Sequence, residues 1–266
     1  MKGSVMTEKL YAPFVHIADV SCSGPCSRCG REHSLPGAPA IQAAQELMRE
    51  LEIHERIDFC CPAEEADPLY STASLFGEAR GHMFGVMVFR KEDGNMGTAK
   101  AFSGQFNGQW LAPGWAGPVV DVEKFERINT PGERQVKALG RDMQEHVPGS
   151  EGYTKLRRER RELSRTLMAE LHGLYRLHDF RGNVQPLGQV FGSGRGIPTG
   201  TGDCCAPKLL NHAALNGLIP LGIAEFYWGR TNRSATREHG CFYPSCTEKC
   251  RPILGFMLCG LEELYD

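Results

Sequence analysis

Two cysteine-bearing segments near the C-terminus, separated by a strand pattern, constrain the fold more than any other feature. Cys204 and Cys205 stand where a glycine-rich loop turns into an apolar-periodic run, which predicts the start of a helix. Cys246 and Cys250 precede a second apolar run, and the apolar segment 219–228 between the two predicts a strand. This order places cysteines at the starts of two helices on either side of one strand.

Thiols at these positions are suited to zinc. The partial positive charge of a helix N-terminus lowers the pKa of a thiol, and three protein ligands leave one zinc position open for water or substrate. We therefore predict a zinc site formed by Cys204, Cys246 and Cys250, with Cys205 or Cys241 as a possible fourth ligand. A fourth thiolate would close the site and make it structural. The alternative is that these cysteines are buried thiols without a metal.

A second set of metal-ligand residues lies near the N-terminus. Cys22, Cys26, Cys29 and His33 have the spacing C-x3-C-x2-C-x3-H, which is typical of a small zinc site. A metal there would stabilise a segment that is too short to bury its own core. The alternative is a cysteine-rich mobile terminus. Cys259 lies in an apolar run, and we predict that it belongs to the core.

The rest of the chain predicts an α/β domain. The segment 39–56 has helical apolar spacing, and the runs 82–90 and 96–104 form a hairpin pattern around a turn at 91–95. Residues 131–178 have helical patterns broken near Pro148. We predict an N-terminal segment over 1–36 and one domain over 37–266: a mixed sheet flanked by helices, interrupted by a helical hairpin at about 125–185.

One face of the predicted second helix is rich in arginine. Lys and Arg side chains clustered on one face suit the phosphates of a nucleic acid, whereas the formal net charge of the whole chain is only −2. The alternative is a solvated face whose arginines pair with Glu159 and Glu162. The predicted RNA-binding residues are Arg157, Arg158, Arg161 and Arg165.

The order of elements resembles the zinc nucleoside and nucleic-acid deaminases. Cys204-Cys205-Ala206-Pro207-Lys208 resembles the first metal-ligand motif of that family, and Pro244-Ser245-Cys246 with Cys250 resembles the second. The family has its proton-transferring glutamate at the position of Ala206, and alanine cannot transfer a proton. If the chain is a zinc-dependent deaminase-like hydrolase, the resemblance leaves Asp203 or Glu225 as the replacement acid.

A second resemblance covers about residues 80–262. HMFGVMVF, AFSGQF, RRERRELSRTL, GDCCAPKLLNHAALNGLIPLGIAEFYWG and HGCFYPSCTEKCRPILGFMLCGLE resemble the N-terminal extension of some RluA-type pseudouridine synthases. No synthase catalytic motif is present. The resemblance implies a zinc-binding module associated with RNA modification, with tRNA or rRNA and a pseudouridine synthase domain as partners. A third alternative is a structural zinc domain that binds a partner or a small molecule.

Bulk properties narrow the cellular setting. No apolar run is long enough to span a membrane, and the N-terminal residues lack the apolar core of a secretory signal. Eleven cysteines in such a chain favour metal binding over disulfides. We predict a cytoplasmic protein that does not enter a membrane.

Overall fold

The computed structural model of the protein describes residues 21–192 and 196–265 and has an α/β fold. Residues 1–20 of the predicted N-terminal segment lie outside the described residues. The helices are α1 Ile41–His54, α2 Val122–Gln144, α3 Glu151–His172, α4 Leu187–Phe191, α5 Cys205–Leu215 and α6 Arg251–Met257. The strands are β1 Ser21–Pro25, β2 Glu32–Pro36, β3 His82–Arg90, β4 Met96–Phe102, β5 Arg176–His178, β6 Val184–Pro186, β7 Ile219–Trp228 and β8 Phe242–Tyr243.

The central sheet has the strand order β4-β3-β7-β8. Each pair of neighbours in it is antiparallel, so the prediction of a mixed sheet is wrong for the described strands. The reason is the connection from β4 through α5 to β7. After this connection β7 runs parallel to β4, but it pairs with the edge of β3 opposite to β4. The parallel strands β4 and β7 are therefore separated by β3, which runs antiparallel to both.

Alternate residues of the sheet face two different cores, as the twofold repeat of a strand requires. On one face, Met87 and Ile223 pack with α5 and α6. On the other face, Phe84 and Phe226 stack with ring centroids 5.8 Å apart and pack with α1. Helices therefore cover both faces, and the cysteines of α5 and α6 lie on the same side of the sheet.

A glycine in β3 allows α5 to approach the sheet closely. A Cβ atom on Gly85 would lie 2.6 Å from the Cβ of Cys205. Gly85 pairs with Glu225 of β7 in the sheet register. The start of α5 therefore packs directly on the part of the sheet that contains Glu225.

The helices α2 and α3 form an antiparallel pair that packs chiefly on itself. α2 begins earlier than the predicted residue 131, because the carboxylate of Asp121 caps the helix by accepting a hydrogen bond from Lys124 N at 3.0 Å. The hydroxyl of Ser150 caps α3 in the same way, which explains the break predicted near Pro148. We call this pair the helical arm.

Two local predictions need correction. The glycine-rich segment before Cys204, predicted to be a loop, contains β6 and α4, and the helical pattern predicted up to residue 178 gives way to β5. The described part of the N-terminal segment packs on the domain: β1 lies against α6 so closely that a Cβ on Gly24 would overlap the carbonyl of Arg251.

Among the described residues, no helix is both long and apolar enough to cross a membrane.

Candidate metal centres and a basic surface

Four metal-ligand side chains meet where the N-terminal hairpin reaches the end of α6. The potential ligand atoms of Cys26, Cys29, His33 and Cys259 all lie within 4.8 Å of one another. The Sγ of Cys29 lies 3.0 Å from Nε2 of His33. Zn–S bonds of about 2.3 Å and Zn–N bonds of about 2.0 Å place tetrahedral ligands roughly 3.5–4 Å apart, so this cluster can hold a metal ion after small adjustments. We call it the terminal cluster.

A tight turn between β1 and β2 brings the first three members together. Cys26 N donates to Arg31 O at 2.8 Å, and Gly30 N donates to Cys26 O at 2.9 Å. Gly30 adopts a φ of 71°, which glycine tolerates better than residues with a side chain. Arg28 in the turn forms a 3.1 Å ion pair with the buried Asp179. The turn is thereby attached to the loop after β5.

The fourth member arrives from the other end of the chain. Cys259 follows α6, and its carbonyl accepts a hydrogen bond from Phe180 N at 3.0 Å. Nη2 of Arg251 donates to both carboxylate oxygens of Glu32, at 2.9 and 3.1 Å, and this contact links the start of α6 to β2. These contacts set the position of Cys259 relative to the turn.

The outer nitrogen of His33 faces a carboxylate. Its Nδ1 lies 3.5 Å from Oε1 of Glu262, a distance at the outer limit of a hydrogen bond. Histidines that bind metals commonly donate their second ring N–H to a carboxylate, which orients the ring. Glu262 therefore occupies the position of an outer partner for a His33 that binds metal through Nε2.

The surroundings of the terminal cluster separate the pKa values of its thiols. Burial raises the pKa of Cys29, but hydrogen bonds with the Arg31 backbone and with the His33, Cys26 and Cys259 side chains outweigh it and lower the pKa to about 6. Burial, followed by the charges and hydrogen bonds of Cys26 and Cys29, raises the pKa of Cys259 to about 12. Crowded sulfurs cannot all ionise unless a cation compensates them.

Cys22 is not a member of the terminal cluster, which corrects the predicted ligand set. Cys22 lies within β1 opposite Leu35, and it is 1% exposed in the core with α5 and α6. Because β1 ends before the turn begins, the side chain of Cys22 faces the core while Cys26 and Cys29 lie in the turn. Cys259, predicted to be a core residue, takes the fourth place. No local signal identifies it, because it is separated from Cys29 by most of the chain.

Of the three predicted ligands of the second site, Cys250 contacts both Cys204 and Cys246. Among the described residues, however, the three do not form a second group whose ligand atoms all lie within 4.8 Å of one another, as those of the terminal cluster do. Cys204 is the N-cap of α5, and Cys250 is the N-cap of α6. Hydrogen bonds with the side chains of Cys204 and Cys246, together with burial, raise the pKa of Cys250 well above its ordinary value. The same contact with Cys250 is the largest cause that lowers the pKa of Cys246 to about 5. We call these three residues the helix-start cluster.

The other two cysteines named for this site have different surroundings. The thiol of Cys205 is fully buried beneath β3 and lies 3.5 Å from Met83 O. Cys241 lies in the segment before β8, where its carbonyl accepts a hydrogen bond from Tyr227 N at 3.0 Å.

The two predicted acids have distinct environments. Glu225 is 5% exposed, and its Oε1 accepts hydrogen bonds from Ala206 N at 3.2 Å and Ser245 Oγ at 3.0 Å. Burial raises the pKa of Glu225 to about 7. Asp203 accepts a 2.7 Å hydrogen bond from the hydroxyl of Tyr175, and burial raises its pKa as well. Glu225 is therefore the acid that contacts both cysteine-bearing segments.

A basic cavity lies on the helical arm. Its volume is about 540 Å³, and it is lined by Val136, Ser164 and four exposed arginines: Arg157, Arg160, Arg161 and Arg165. Among the ion pairs of the described residues, none involves these arginines, and neither Glu159 nor Glu162 pairs with them. The arginines are exposed to solvent, as the alternative of a solvated face predicts, but the predicted pairing with Glu159 and Glu162 is wrong for the described residues. We call this surface the arginine cavity.

The cavity contains three of the four predicted RNA-binding arginines. Arg158 is exposed but does not line the cavity, whereas Arg160 does. Positions 160, 161, 164 and 165 follow 157 by three, four, seven and eight residues and share one helix face with it. Position 158, seven residues before 165, lies at the edge of this face and does not line the cavity. The glycine at 140 in α2 leaves room for Arg160, whose Nε would lie 3.5 Å from an added Cβ.

Four large aromatic residues that could otherwise stack on bases are buried in the core. Trp110 and Trp115 are 8% and 9% exposed, and Tyr227 and Trp228 are 4% and 2% exposed. Trp115 Nε1 donates to Ile57 O at 2.8 Å, which satisfies its only polar group within the core.

Comparisons with protein-family models, with curated proteins and with solved structures give no match for this chain.

Proposed function

We propose that this chain is a zinc-binding module that binds RNA and works beside a pseudouridine synthase domain, without synthase activity of its own. The resemblance to the N-terminal extension of RluA-type synthases gives the RNA-modification context. The arginine cavity supports the RNA-binding part of the proposal, and the terminal cluster supports the zinc-binding part. The RNA is a tRNA or an rRNA.

The observation that most supports RNA binding is a set of unpaired guanidinium groups on one helix face. Arginine held in a carboxylate pair is neutralised, whereas Arg157, Arg161 and Arg165 have no carboxylate partner among the described residues. The planar guanidinium group binds phosphate oxygens through two parallel N–H donors. The 22 residues of α3 give the arm a length of about 30 Å, which suits contact with several phosphates of a backbone.

Zinc is the metal that the donor sets favour. Three thiols and one imidazole, as in the terminal cluster, form one of the common structural zinc sites. Soft sulfur donors select against magnesium and calcium, which prefer oxygen. In the terminal cluster a metal would link the N-terminal hairpin to the segment after α6, and its role there is structural.

The test measures the affinity for tRNA and for an rRNA fragment by fluorescence anisotropy over a range of salt concentrations. Three single variants, Arg157→Glu, Arg161→Glu and Arg165→Glu, each remove one phosphate contact. We expect each to weaken binding and to reduce the slope of log K against log salt by roughly 0.7–0.9, the value for one lost phosphate contact. Arg158→Glu is the matched control, because it makes the same charge change on the same helix outside the cavity.

The Arg158→Glu control distinguishes RNA binding by the arginine cavity from a general effect of the charge of the helix. If Arg158→Glu weakens RNA binding as much as Arg161→Glu, the arginine cavity is not the contact surface. If no RNA binds and zinc is present, the chain is a structural zinc domain for another partner or a small molecule. The pseudouridine content of the bound RNA is expected to stay constant in the absence of a synthase.

A deaminase-like hydrolase is the second candidate, and one contact favours it. The carboxylate of Glu225 reaches the backbone N–H of Ala206, the residue that stands where the deaminase family has its glutamate. A buried carboxyl beside the helix-start cluster could move a proton to or from a bound substrate. The test is ammonia release from nucleosides and short RNAs. Activity that is lost in Glu225→Gln and retained in Asp203→Asn would support this candidate, and no release by the native protein would exclude it for those substrates.

A further inference from the structure

A second cavity adjoins the arginine cavity at the base of the helical arm. Its volume is about 690 Å³, within the range of small-molecule sites. Apolar groups dominate its lining, which includes Met168, Ala169, His172, Pro186, Gly188 and Ile197. We call it the apolar cavity.

The two cavities share a wall. Ser164 and Arg165 of α3 line both of them. The residues of α3 that line the apolar cavity continue the same helix face by one to two turns towards the C-terminus. A ligand with an apolar end and an anionic end can therefore occupy both cavities along one helix.

His172 adds a polar group without adding charge. It is 9% exposed, and burial lowers its pKa, so that the imidazole is neutral at pH 7. Its Nε2 is buried and has no hydrogen-bond partner among the described residues. Leaving such an atom unsatisfied costs free energy. A ligand whose hydrogen-bonding edge met Nε2 after a rotation of the ring towards the cavity would remove this cost.

We propose that the apolar cavity accepts one unstacked base of an RNA strand while the arginine cavity binds the adjacent phosphates. This inference rests on the proposed RNA binding and names the form of RNA that the arm selects. A nucleobase has an apolar face for the walls and a hydrogen-bonding edge for His172. Its phosphates meet Arg165 at the shared wall and the other arginines beyond it. The preferred ligand is a single strand or a loop, because a base within a duplex is stacked and paired.

The experiment compares a short single-stranded RNA with an abasic strand of the same length and charge. We expect the native protein to bind the RNA about tenfold more tightly than the abasic strand. Gly188→Leu should abolish this difference by filling the cavity, and the substitution is tolerated because a Cβ on Gly188 would meet no atom within 4 Å. Thr166→Leu is the control, since Thr166 is exposed on α3 and lines neither cavity.

The outcomes separate this inference from the proposed function. Equal binding of both strands, weakened by Arg161→Glu and unaffected by Gly188→Leu, overturns the base-binding cavity and leaves RNA binding through arginine intact. Failure of both strands to bind overturns this inference, and if tRNA and the rRNA fragment also do not bind, the proposed function is overturned with it. Loss of the base-dependent difference in Gly188→Leu, with abasic binding unchanged and Thr166→Leu equal to the native protein, supports the cavity and shows that the variant is folded.

Discussion

At the scale of single residues, Cys22 and Cys259 exchange the roles that their sequence contexts predict. Cys22 has regular spacing to Cys26 and Cys29, but strand geometry turns it into the core. Cys259 lies in the apolar run GFMLCG, yet its thiol belongs to the terminal cluster. Local spacing constrains a ligand set only when all ligands belong to one turn, and here one ligand comes from the opposite end of the chain.

The metal content of cysteine variants follows from this exchange. We expect Cys259→Ser to lose one equivalent of zinc and Cys22→Ser to retain it, because only the first removes a ligand of the terminal cluster. The measurement is elemental analysis of the purified variants. Loss of the metal in Cys22→Ser together with its retention in Cys259→Ser would contradict the structure of the cluster. Cys246→Ser reports separately on the helix-start cluster.

At the scale of secondary-structure elements, the contact between β1 and α6 determines how close the ligands of the terminal cluster lie to one another. A Cβ on Gly24 would overlap the backbone of Arg251, and a Cβ on Gly255 would overlap the backbone of Gly24. Only glycine at both positions permits this approach. The contact brings the turn that follows β1 to the residue that follows α6, which is where Cys26 and Cys259 meet.

Gly255→Ala tests the contact between β1 and α6. If the contact is as close as described, this substitution destabilises the protein, whereas Gly→Ala within a helix usually stabilises it. Within a helix, Gly→Ala commonly stabilises a protein by about 0.5–1 kcal/mol. At Gly255 we expect a loss of about 2 kcal/mol in the free energy of unfolding, since the added methyl overlaps backbone. Gly188→Ala in α4 is the matched control, with open space around its Cβ, and is expected to be neutral or stabilising.

Denaturant unfolding and zinc content are the two measurements for this pair. Gly255→Ala should also bind zinc less tightly, because moving β1 away from α6 separates Cys26 from Cys259. If Gly255→Ala is as stable as Gly188→Ala and keeps its zinc, the close packing of β1 on α6 is wrong.

At the scale of the whole molecule, the stability of the fold depends on a neutral histidine between the sheet and the loop after β4. The Nε2–H of His82 donates a 2.5 Å hydrogen bond to Ser103 O. Burial, assisted by the nearby charge of Lys208, lowers the pKa of His82 from 6.5 to about 4. Between pH 6.5 and 4 the unfolded chain therefore binds a proton at His82, whereas the native state keeps this imidazole neutral.

This difference predicts acid sensitivity between pH 6.5 and 4. The stabilisation is fully present above pH 6.5 and is lost as the pH falls towards 4, because the unfolded state binds more protons in this window. We expect a contribution on the order of 2 kcal/mol, which allows for partial exposure of the ring. His82→Gln should flatten the dependence of the unfolding free energy on pH, and His54→Gln at the surface controls for the loss of a histidine. Identical slopes in His82→Gln and the native protein would contradict a neutral His82.

The sequence by itself determined the elements whose signals are local. The hairpin strands His82–Arg90 and Met96–Phe102 and the strand Ile219–Trp228 are confirmed closely, because side-chain alternation and turn residues act within a few positions. The arginine face of α3 was also visible, since helical periodicity fixes which residues share a face. The order of elements along the chain also predicted the contacts that Cys250 makes with Cys204 and with Cys246.

Only the tertiary structure decided that neighbouring strands of the central sheet are antiparallel and that Cys259 and Glu262 lie next to His33. It also decided that Arg165 and His172 line one cavity. Each of these depends on contacts between segments far apart in the chain. Such contacts are set by how whole faces pack together, and periodicity within one segment contains no information about which distant face will meet it.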